Sequence, residues 1–233
     1  MHVPDGFLDA PTSLATGVIA AGGVALALRG ARRELDDRTA PMAGLVATFV
    51  FAGQMMNFPV GAGTSGHLLG GAMAAVLAGP WTAVLCVSTV LVVQALFMAD
   101  GGITALGTNI TLMALVGVGV GWLVFVLVRS LLPKRLGAVA PAAAVGALVS
   151  VPVAALAFTS LFAIGGTAPV AIDTVLTAMV SWHAVIGIGE AVITGLVVAA
   201  VVAVRPDLVY GARPALRARR LELRQPVTSG GTP

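Results

Sequence analysis

The chain has 233 residues, of which 58% are hydrophobic and only 10% are charged. Soluble domains average about a quarter charged residues, so this composition excludes a water-soluble protein of this size. The formal net charge is +3. The basic residues lie in clusters beside apolar runs, which is a topology signal of membrane proteins, and no nucleic-acid partner is expected.

Apolar runs along the chain predict an all-α, polytopic bundle of membrane helices in the lipid bilayer. A helix needs about 20 apolar residues to span, and we assign spans at about 12–29, 41–57, 81–99, 109–129, 141–163 and 182–204. A shorter apolar piece, 67–79, follows the glycine-rich loop 58–66. Together they predict a broken, partly re-entrant segment, whose irregular backbone must be surrounded by protein or a polar cavity. The total is about seven membrane segments.

The positions of the 13 basic residues predict the orientation of the bundle. They follow the first, fifth and seventh segments and are Arg29, Arg32, Arg33, Arg38, Arg129, Lys134, Arg135, Arg205, Arg213, Arg217, Arg219, Arg220 and Arg224. With seven crossings, all of them fall on one side, which the positive-inside rule makes cytoplasmic. The amino terminus is then outside the cell (inner) membrane and the carboxyl terminus is cytoplasmic. The outer side holds all three histidines and several carboxylates without Lys or Arg, and such a surface attracts metal cations.

Composition along the chain predicts one transmembrane metal-binding domain over 1–204. A basic cytoplasmic tail over 205–233, partly disordered, is expected to follow it. Within the first span, Gly17, Ala21 and Ala25 recur one turn apart. Such a face suits close helix packing in lipid, either inside this bundle or against another subunit.

The amino terminus itself offers a metal chelate. Residues 1–13 lack the basic region of a signal peptide, so Met1 is expected to be retained. Histidine at position two places three nitrogens in sequence, namely the Met1 α-amine, the His2 amide nitrogen and His2 Nδ1. One further imidazole would complete a square of four nitrogens, a geometry that selects Ni(II) or Cu(II). The single cysteine, Cys86, leaves no thiolate cluster as an alternative.

Two histidines compete for the fourth position of that square. His67 opens the broken segment, and a short, glycine-interrupted hydrophobic stretch is a sign of a transporter's substrate site. The alternative for His67 is a structural histidine bonded to a neighbouring carbonyl. His183 starts the last predicted span beside Trp182 and is a rival ligand, a residue that supports the ligands, or an interfacial histidine. On these residues alone the choice stays open.

Other polar residues are expected to surround the ligands rather than to bind the metal. Asp100 and Asn109 frame an outer loop, and Asn57 and Ser65 lie in the segment before His67. Glu190 lies two turns below His183 within the last span. An ionisable residue inside a span is a functional candidate, with protonation or hydrogen bonding within the bundle as the alternative.

The same residues carry a family resemblance. Three stretches of the chain resemble signatures of the NikM/CbiM family. They are the start Met-His-Val-Pro-Asp-Gly-Phe-Leu, the stretch Asn57-Phe-Pro-Val with the following Gly-Thr-Ser-Gly-His-Leu-Leu-Gly-Gly, and the loop Asp100-Gly-Gly-Ile-Thr-Ala-Leu-Gly-Thr-Asn. Its members are the nickel- or cobalt-binding substrate (S) components of energy-coupling factor (ECF) ABC transporters. The resemblance covers residues 1–200, and the second signature is more similar to that of nickel members. Val3 replaces the family's isoleucine, a change that touches no ligand.

The resemblance implies a ligand set and a set of partners. Carried over by position, the metal ligands are Met1, His2 and His67, and the bound substrate is Ni(II), with Co(II) as the alternative. The implied partners are a transmembrane coupling protein, ATP-binding subunits and a small accessory membrane subunit. The chain lacks a Walker motif, so it is expected to be a transporter subunit without its own ATPase and not an enzyme.

Two rival classes of function are compatible with parts of the sequence. Gly63-Thr-Ser-Gly fits the nucleophile pattern of rhomboid intramembrane serine proteases, with Ser65 as nucleophile and His183 as base. The other rival is an autonomous ion-coupled metal carrier with Glu190 as the coupling group. A four-residue pattern in a glycine-rich chain is weak evidence, so the nickel-binding subunit is favoured.

Overall fold

The computed structural model describes residues 1–37, 39–61 and 64–224. Arg38, the tip of the loop at 62–63 and the last residues, 225–233, lie outside these ranges. The disorder predicted for the end of the tail therefore also lies outside the described residues.

The described chain is a bundle of helices interrupted by a short hairpin. Its elements are α1 (Ala10–Glu34), α2 (Ala40–Gln54), β1 (Phe58–Gly61), β2 (Thr64–Gly66), α3 (Gly71–Ala78), α4 (Pro80–Phe97), α5 (Leu106–Asn109), α6 (Val118–Leu131), α7 (Val139–Gly165), α8 (Ile172–Val204) and α9 (Arg213–Arg224). A π-helical stretch, Ile110–Gly117, joins α5 and α6 into one continuous helix, Leu106–Leu131. Short 3-10 turns precede α7 and α9.

The prediction of a helical membrane bundle is confirmed. Within the described residues, five helices are long and apolar enough to cross a membrane. The predicted second span is shorter than expected, because α2 has 15 residues and ends at Gln54 rather than at 57. The number of crossings and the orientation of the termini stay predictions.

The broken segment has the irregular backbone that the sequence predicts. β1 and β2 pair antiparallel with Phe58 opposite Gly66, and the chain then runs without regular structure to α3. Every residue of the eight-residue helix α3 is buried. Gly70, which precedes it, has a φ of +73°, and a Cβ there would lie 2.8 Å from a methyl group of Val50. Both the conformation and the close packing therefore require glycine.

The last long helix differs from its prediction. α8 begins at Ile172, ten residues before the predicted start of the last span at 182. The 33 residues of α8 extend about 50 Å, well beyond the roughly 30 Å of a hydrocarbon core. His183 lies within this helix, and its side chain is fully buried in the bundle.

The small residues predicted as a packing face of α1 are only partly used inside this chain. Gly17 is half-buried, and its backbone touches Gly107 so closely that Gly107 has no room for a Cβ. Ala21 and Ala25 are exposed. Packing of this face against another subunit stays a prediction.

At the opposite end of α1, the buried residue Glu34 ties three elements together through its side chain and its main-chain carbonyl. Glu34 accepts hydrogen bonds from the backbone N–H of Trp81 (3.2 Å) and from the N–H and hydroxyl of Thr82 (2.7 and 2.9 Å). These are groups at the amino-terminal end of α4 that have no partner within the helix. Arg213, at the start of α9, donates to the Glu34 carbonyl oxygen at 3.0 Å. The first part of the predicted tail is therefore packed on the bundle, with Ala212 fully buried.

Candidate metal centre

The first three residues enter the interior of the bundle. Met1, His2 and Val3 are 0%, 5% and 1% exposed. The Val3 N–H donates to Asn109 Oδ1 at 2.7 Å, and the Val3 carbonyl accepts from Asn109 Nδ2 at 3.1 Å and from the Gly102 N–H at 2.9 Å. Because both backbone groups of Val3 are held, Met1 and His2 are fixed in position along the chain.

The loop after α4 encloses this segment. Gly101 has a φ of +89°, and a Cβ there would lie 3.0 Å from both His2 Cδ2 and Asn109 Nδ2. Asp5 Oδ1 accepts from the N–H of Thr104 at 2.7 Å and from its hydroxyl at 2.5 Å. Glycine at 101 therefore allows the loop to approach His2 closely, and Asp5 anchors the loop to the amino-terminal segment.

The ring of His2 is positioned by Gln94 and His67. Its Nε2 lies 3.2 Å from Gln94 Oε1 and donates to this amide oxygen. The ring stacks on that of His67 with centroids 4.6 Å apart. Nδ1 lies 3.1 Å from Asp100 Oδ1, within the distance of an ion pair, and makes no hydrogen bond with any described residue.

His67 presents its other ring nitrogen in the same way. Its Nδ1 lies 2.8 Å from the Leu68 carbonyl oxygen, which fixes the proton on Nδ1. Nε2 is buried and has no hydrogen-bond partner among the described residues. Metal-ligating histidines almost always donate their second ring N–H to a carbonyl or carboxylate in this manner.

The terminal amine is also available as a donor. Its complete burial lowers the pKa from 8.0 to about 4, although the nearby Asp100 carboxylate acts in the opposite direction. The amine is therefore neutral at physiological pH and has a free lone pair. Within the described chain, the backbone N–H of His2 donates no hydrogen bond.

Asp100 places a negative charge beside these nitrogens. Contact with His2, together with the hydrogen bond from Asn57 Nδ2 to Asp100 Oδ2 at 3.1 Å, holds the pKa of this carboxyl below its usual value. The structure thus brings Asp100, Asn57 and Asn109 around the amino-terminal segment.

Glu190 holds the chain just after His67. Its two carboxylate oxygens accept from the N–H groups of Leu69 (2.7 Å) and Gly70 (2.9 Å). The Leu69 carbonyl accepts from Gln54 Nε2 at 2.9 Å. These hydrogen bonds join α8 to the segment after His67 within the bundle.

His183 faces the interior and not Ser65. Its Nδ1 lies 2.7 Å from the Met179 carbonyl oxygen, and its buried Nε2 has no partner among the described residues. Ser65 lies in β2 opposite Pro59. Within the part of the chain that the structure describes, no hydrogen bond joins Ser65 to His183, so the nucleophile–base pair of a serine protease is not assembled.

Two buried glutamines were not among the residues predicted for the site from the sequence. Gln94 and Gln54 are both fully buried, Gln94 against His2 and Gln54 against the segment after His67. Each is a single amide within an apolar run. Because a buried polar group needs a specific partner, this isolation could have marked both residues as candidates.

Side chains alone do not form a metal cage here. The described residues contain no group of three or more His, Cys, Asp or Glu side chains that could hold a metal ion. Nitrogen donors become numerous enough only when the terminal amine and the His2 amide are counted with the two rings. Nitrogen donors of this kind would suit a transition-metal ion, and the fold is that of a multi-pass membrane protein.

Comparison with known proteins supports this class. Residues 2–208 match the CbiM family, described as the cobalt uptake substrate-specific transmembrane region. The chain belongs to this family. A solved structure described as a transition metal transporter superposes with a TM-score of 0.82 at 30% identity, covering 97% of this chain and all of that one.

Curated relatives include transport proteins of both nickel and unspecified metals. A candidate metal transport protein of Haloquadratum walsbyi is 41% identical over 213 residues, covering 90% of this chain and 94% of the relative. A candidate fused nickel transport protein, NikMN, of Archaeoglobus fulgidus is 37% identical over 209 residues, covering 90% of this chain and 68% of the relative. The chain is thus a multi-pass membrane component of nickel or cobalt transport and not an enzyme, as predicted.

Proposed function

We propose that this chain is the substrate-specific membrane component of an ECF-type uptake transporter, which binds Ni(II) at its outer face and delivers it for ATP-driven import. The observation that carries the proposal is the burial of Met1 in the part of the bundle where the rings of His2 and His67 stack. Each ring presents a nitrogen that has no hydrogen-bond partner among the described residues.

Four nitrogens supply the ligands: the Met1 amine, the His2 amide, His2 Nδ1 and His67 Nε2. The first three close a five-membered and a six-membered chelate ring around one ion. Hydrogen bonds on the far side of both rings and on Val3 hold these donors in place before the metal arrives. Such preorganisation lowers the entropy cost of binding.

The charges of the site suit a divalent ion. Binding to the His2 amide nitrogen releases its proton, so Ni(II) and the amide together carry one positive charge. The Asp100 carboxylate beside His2 supplies one negative charge. A neutral total matters because an uncompensated charge is costly in a buried site.

Planar nitrogen coordination favours Ni(II) over Co(II), which also binds such ligands more weakly. Co(II) remains the alternative substrate. Because the sequence has no Walker motif, import requires partners. These are a transmembrane coupling protein, ATP-binding subunits and a small accessory membrane subunit.

The test is the nickel content of the purified chain with a native amino terminus. His2→Ala and His67→Ala should each abolish stoichiometric nickel, as measured by elemental analysis, and Ser150→Ala should keep one ion per chain. Ser150 is a matched control because it is buried and bonds only within α7. Wild-type affinity in either histidine variant would show that the ligand set is wrong. A competition titration against Co(II) tests the choice of metal.

A further inference from the structure

The proposed ligand set leaves one buried imidazole unused. His183 is 0% exposed, and its Nε2 makes no hydrogen bond with any described residue. Burying a ring nitrogen without a partner costs free energy, and a native structure keeps such a group where it has a use.

His183 is prepared for a metal in the same way as His67. In each residue Nδ1 donates to a main-chain carbonyl, of Leu68 for His67 and of Met179 for His183. In each, the lone pair is therefore on a buried Nε2. This tautomer and this anchoring are those of metal-ligating histidines.

The segment around His67 lies along α8 beside His183. Trp182 packs edge-on against Phe58 with centroids 5.9 Å apart. A Cβ on Gly66 would lie 2.8 Å from Ile186 Cδ1. Glu190, two turns beyond His183 on the same helix face, binds the main chain after His67. His183 is thus on the part of α8 that faces the His67 segment.

The ring of His67 stacks on that of His2, and His67 interacts electrostatically with His183. His183 also interacts electrostatically with the terminal amine, so the three groups lie in one part of the bundle. We propose that His67 and His183 form an inner metal site, which receives the Ni(II) or Co(II) ion when it leaves Met1 and His2. The proposal rests on the proposed function and assigns the next position of the same substrate.

A shared ligand makes the transfer a stepwise exchange. The ion keeps its bond to His67 Nε2 while His183 Nε2 replaces the donors of the amino terminus, and the His2 amide regains its proton from water. Two imidazoles hold the ion less tightly than the four-nitrogen chelate, so the inner site is a position of transit.

The inner site is measurable once the terminal chelate is removed. A chain with one glycine added before Met1 should bind one Ni(II) or Co(II) ion per chain, weaker than the native form by at least about 100-fold. His183→Asn in this background should remove the residual binding. The asparagine amide occupies the place of Nδ1 and keeps the donor to the Met179 carbonyl, but supplies nothing at Nε2. Trp182→Phe, which changes the neighbouring contact and no nitrogen, should keep the residual binding.

Two results would overturn the inner site: no residual metal in the extended chain, or residual binding that is the same with and without His183→Asn. In the native-terminus form, His183→Asn should keep stoichiometric nickel. Absence of nickel from the native wild-type chain would refute the proposed function instead. If His183→Asn does not yield a monodisperse protein, X-ray absorption of Co(II) in the extended chain carrying His2→Ala decides, because His67 and His183 are then its only histidines. Two imidazole ligands are expected, and fewer would contradict the proposal.

Discussion

One residue added before Met1 should remove high-affinity nickel binding without altering a single side chain. The extended chain has two ways to respond. If Met1 stays in place, its amine becomes an amide nitrogen of the chain and the chelate loses its first donor. If the chain slides so that the new amine takes the place of the old one, Val3 and Met1 both move.

The cost of sliding follows from the side chains that would be displaced. The hydrogen bonds of Val3 to Asn109 and Gly102 are made by its main chain, so His2 would take them over after a shift of one residue. The same shift moves the His2 ring into the place of the Val3 side chain, which removes its nitrogen from the chelate. Met1 would also lose the burial of its side chain, which is 0% exposed, at about 2 kcal/mol. That burial alone corresponds to a loss in affinity of about 30-fold, to which the lost ring donor adds.

The assay compares native, glycine-extended, amino-terminally acetylated and carboxyl-terminally tagged forms made in parallel. Elemental analysis and competition titration should give one tightly bound nickel for the native and carboxyl-tagged forms. The extended and acetylated forms should lose tight binding, since acetylation removes the amine while the side chains stay the same. Equal affinity of the native and extended forms would refute the reasoning and leave the side chains as the only ligands.

Further predictions concern the supports of the site, pH and topology. Glu190→Gln should lower nickel affinity and thermal stability, because an amide NH₂ then faces a main-chain N–H and one of the two hydrogen bonds is lost, at about 1–3 kcal/mol. Asn109→Ala should weaken nickel binding by up to about 30-fold, since two bonds to Val3 worth roughly 2 kcal/mol are removed. Above pH 7, log affinity should rise by about one per pH unit, because the terminal amine, with a pKa of about 4, has already lost its proton and only the His2 amide releases one. In intact cells, a membrane-impermeant thiol reagent should label Ile103→Cys and not Arg219→Cys, both exposed positions.

Each of these predictions has a clear contrary result. Unchanged nickel affinity in Glu190→Gln or Asn109→Ala would mean that these contacts do not position the ligands. A slope of two below pH 8 would show that the amine still carries its proton in the folded chain. Labelling at position 219 from outside would reverse the predicted orientation.

The sequence predicted the class of fold and the neighbourhood of the site, because these follow from local patterns. Apolar runs identify membrane helices, and the pairing of His2 with a loop histidine follows from the chemistry of the amino terminus. The placement of His67 beside His2, with Asp100 close by, agrees with that expectation. Their role as ligands stays a prediction.

The start of α8 and the partners of Gln94 and Glu190 depend on tertiary contacts, which local sequence patterns do not predict. Ile172–Trp182 mixes polar and apolar residues and resembles an outer loop, yet it continues α8. Gln94 resembles any isolated amide in an apolar run until His2 is found against it. The two N–H groups that bond to Glu190 belong to a segment about 120 residues away in the chain, so no local pattern around Glu190 indicates them.

Helix α4 joins two distant parts of the molecule by a single rigid body. At its first turn, Thr82 is held by the carboxylate of Glu34, whose own carbonyl is held by Arg213. Near its last turn, Gln94 supports the ring of His2. These points are about 18 Å apart along a helix that has no internal glycine or interior proline to bend it. A tilt of α4 at its contact with Glu34 would therefore also displace Gln94, and with it the support of the His2 ring.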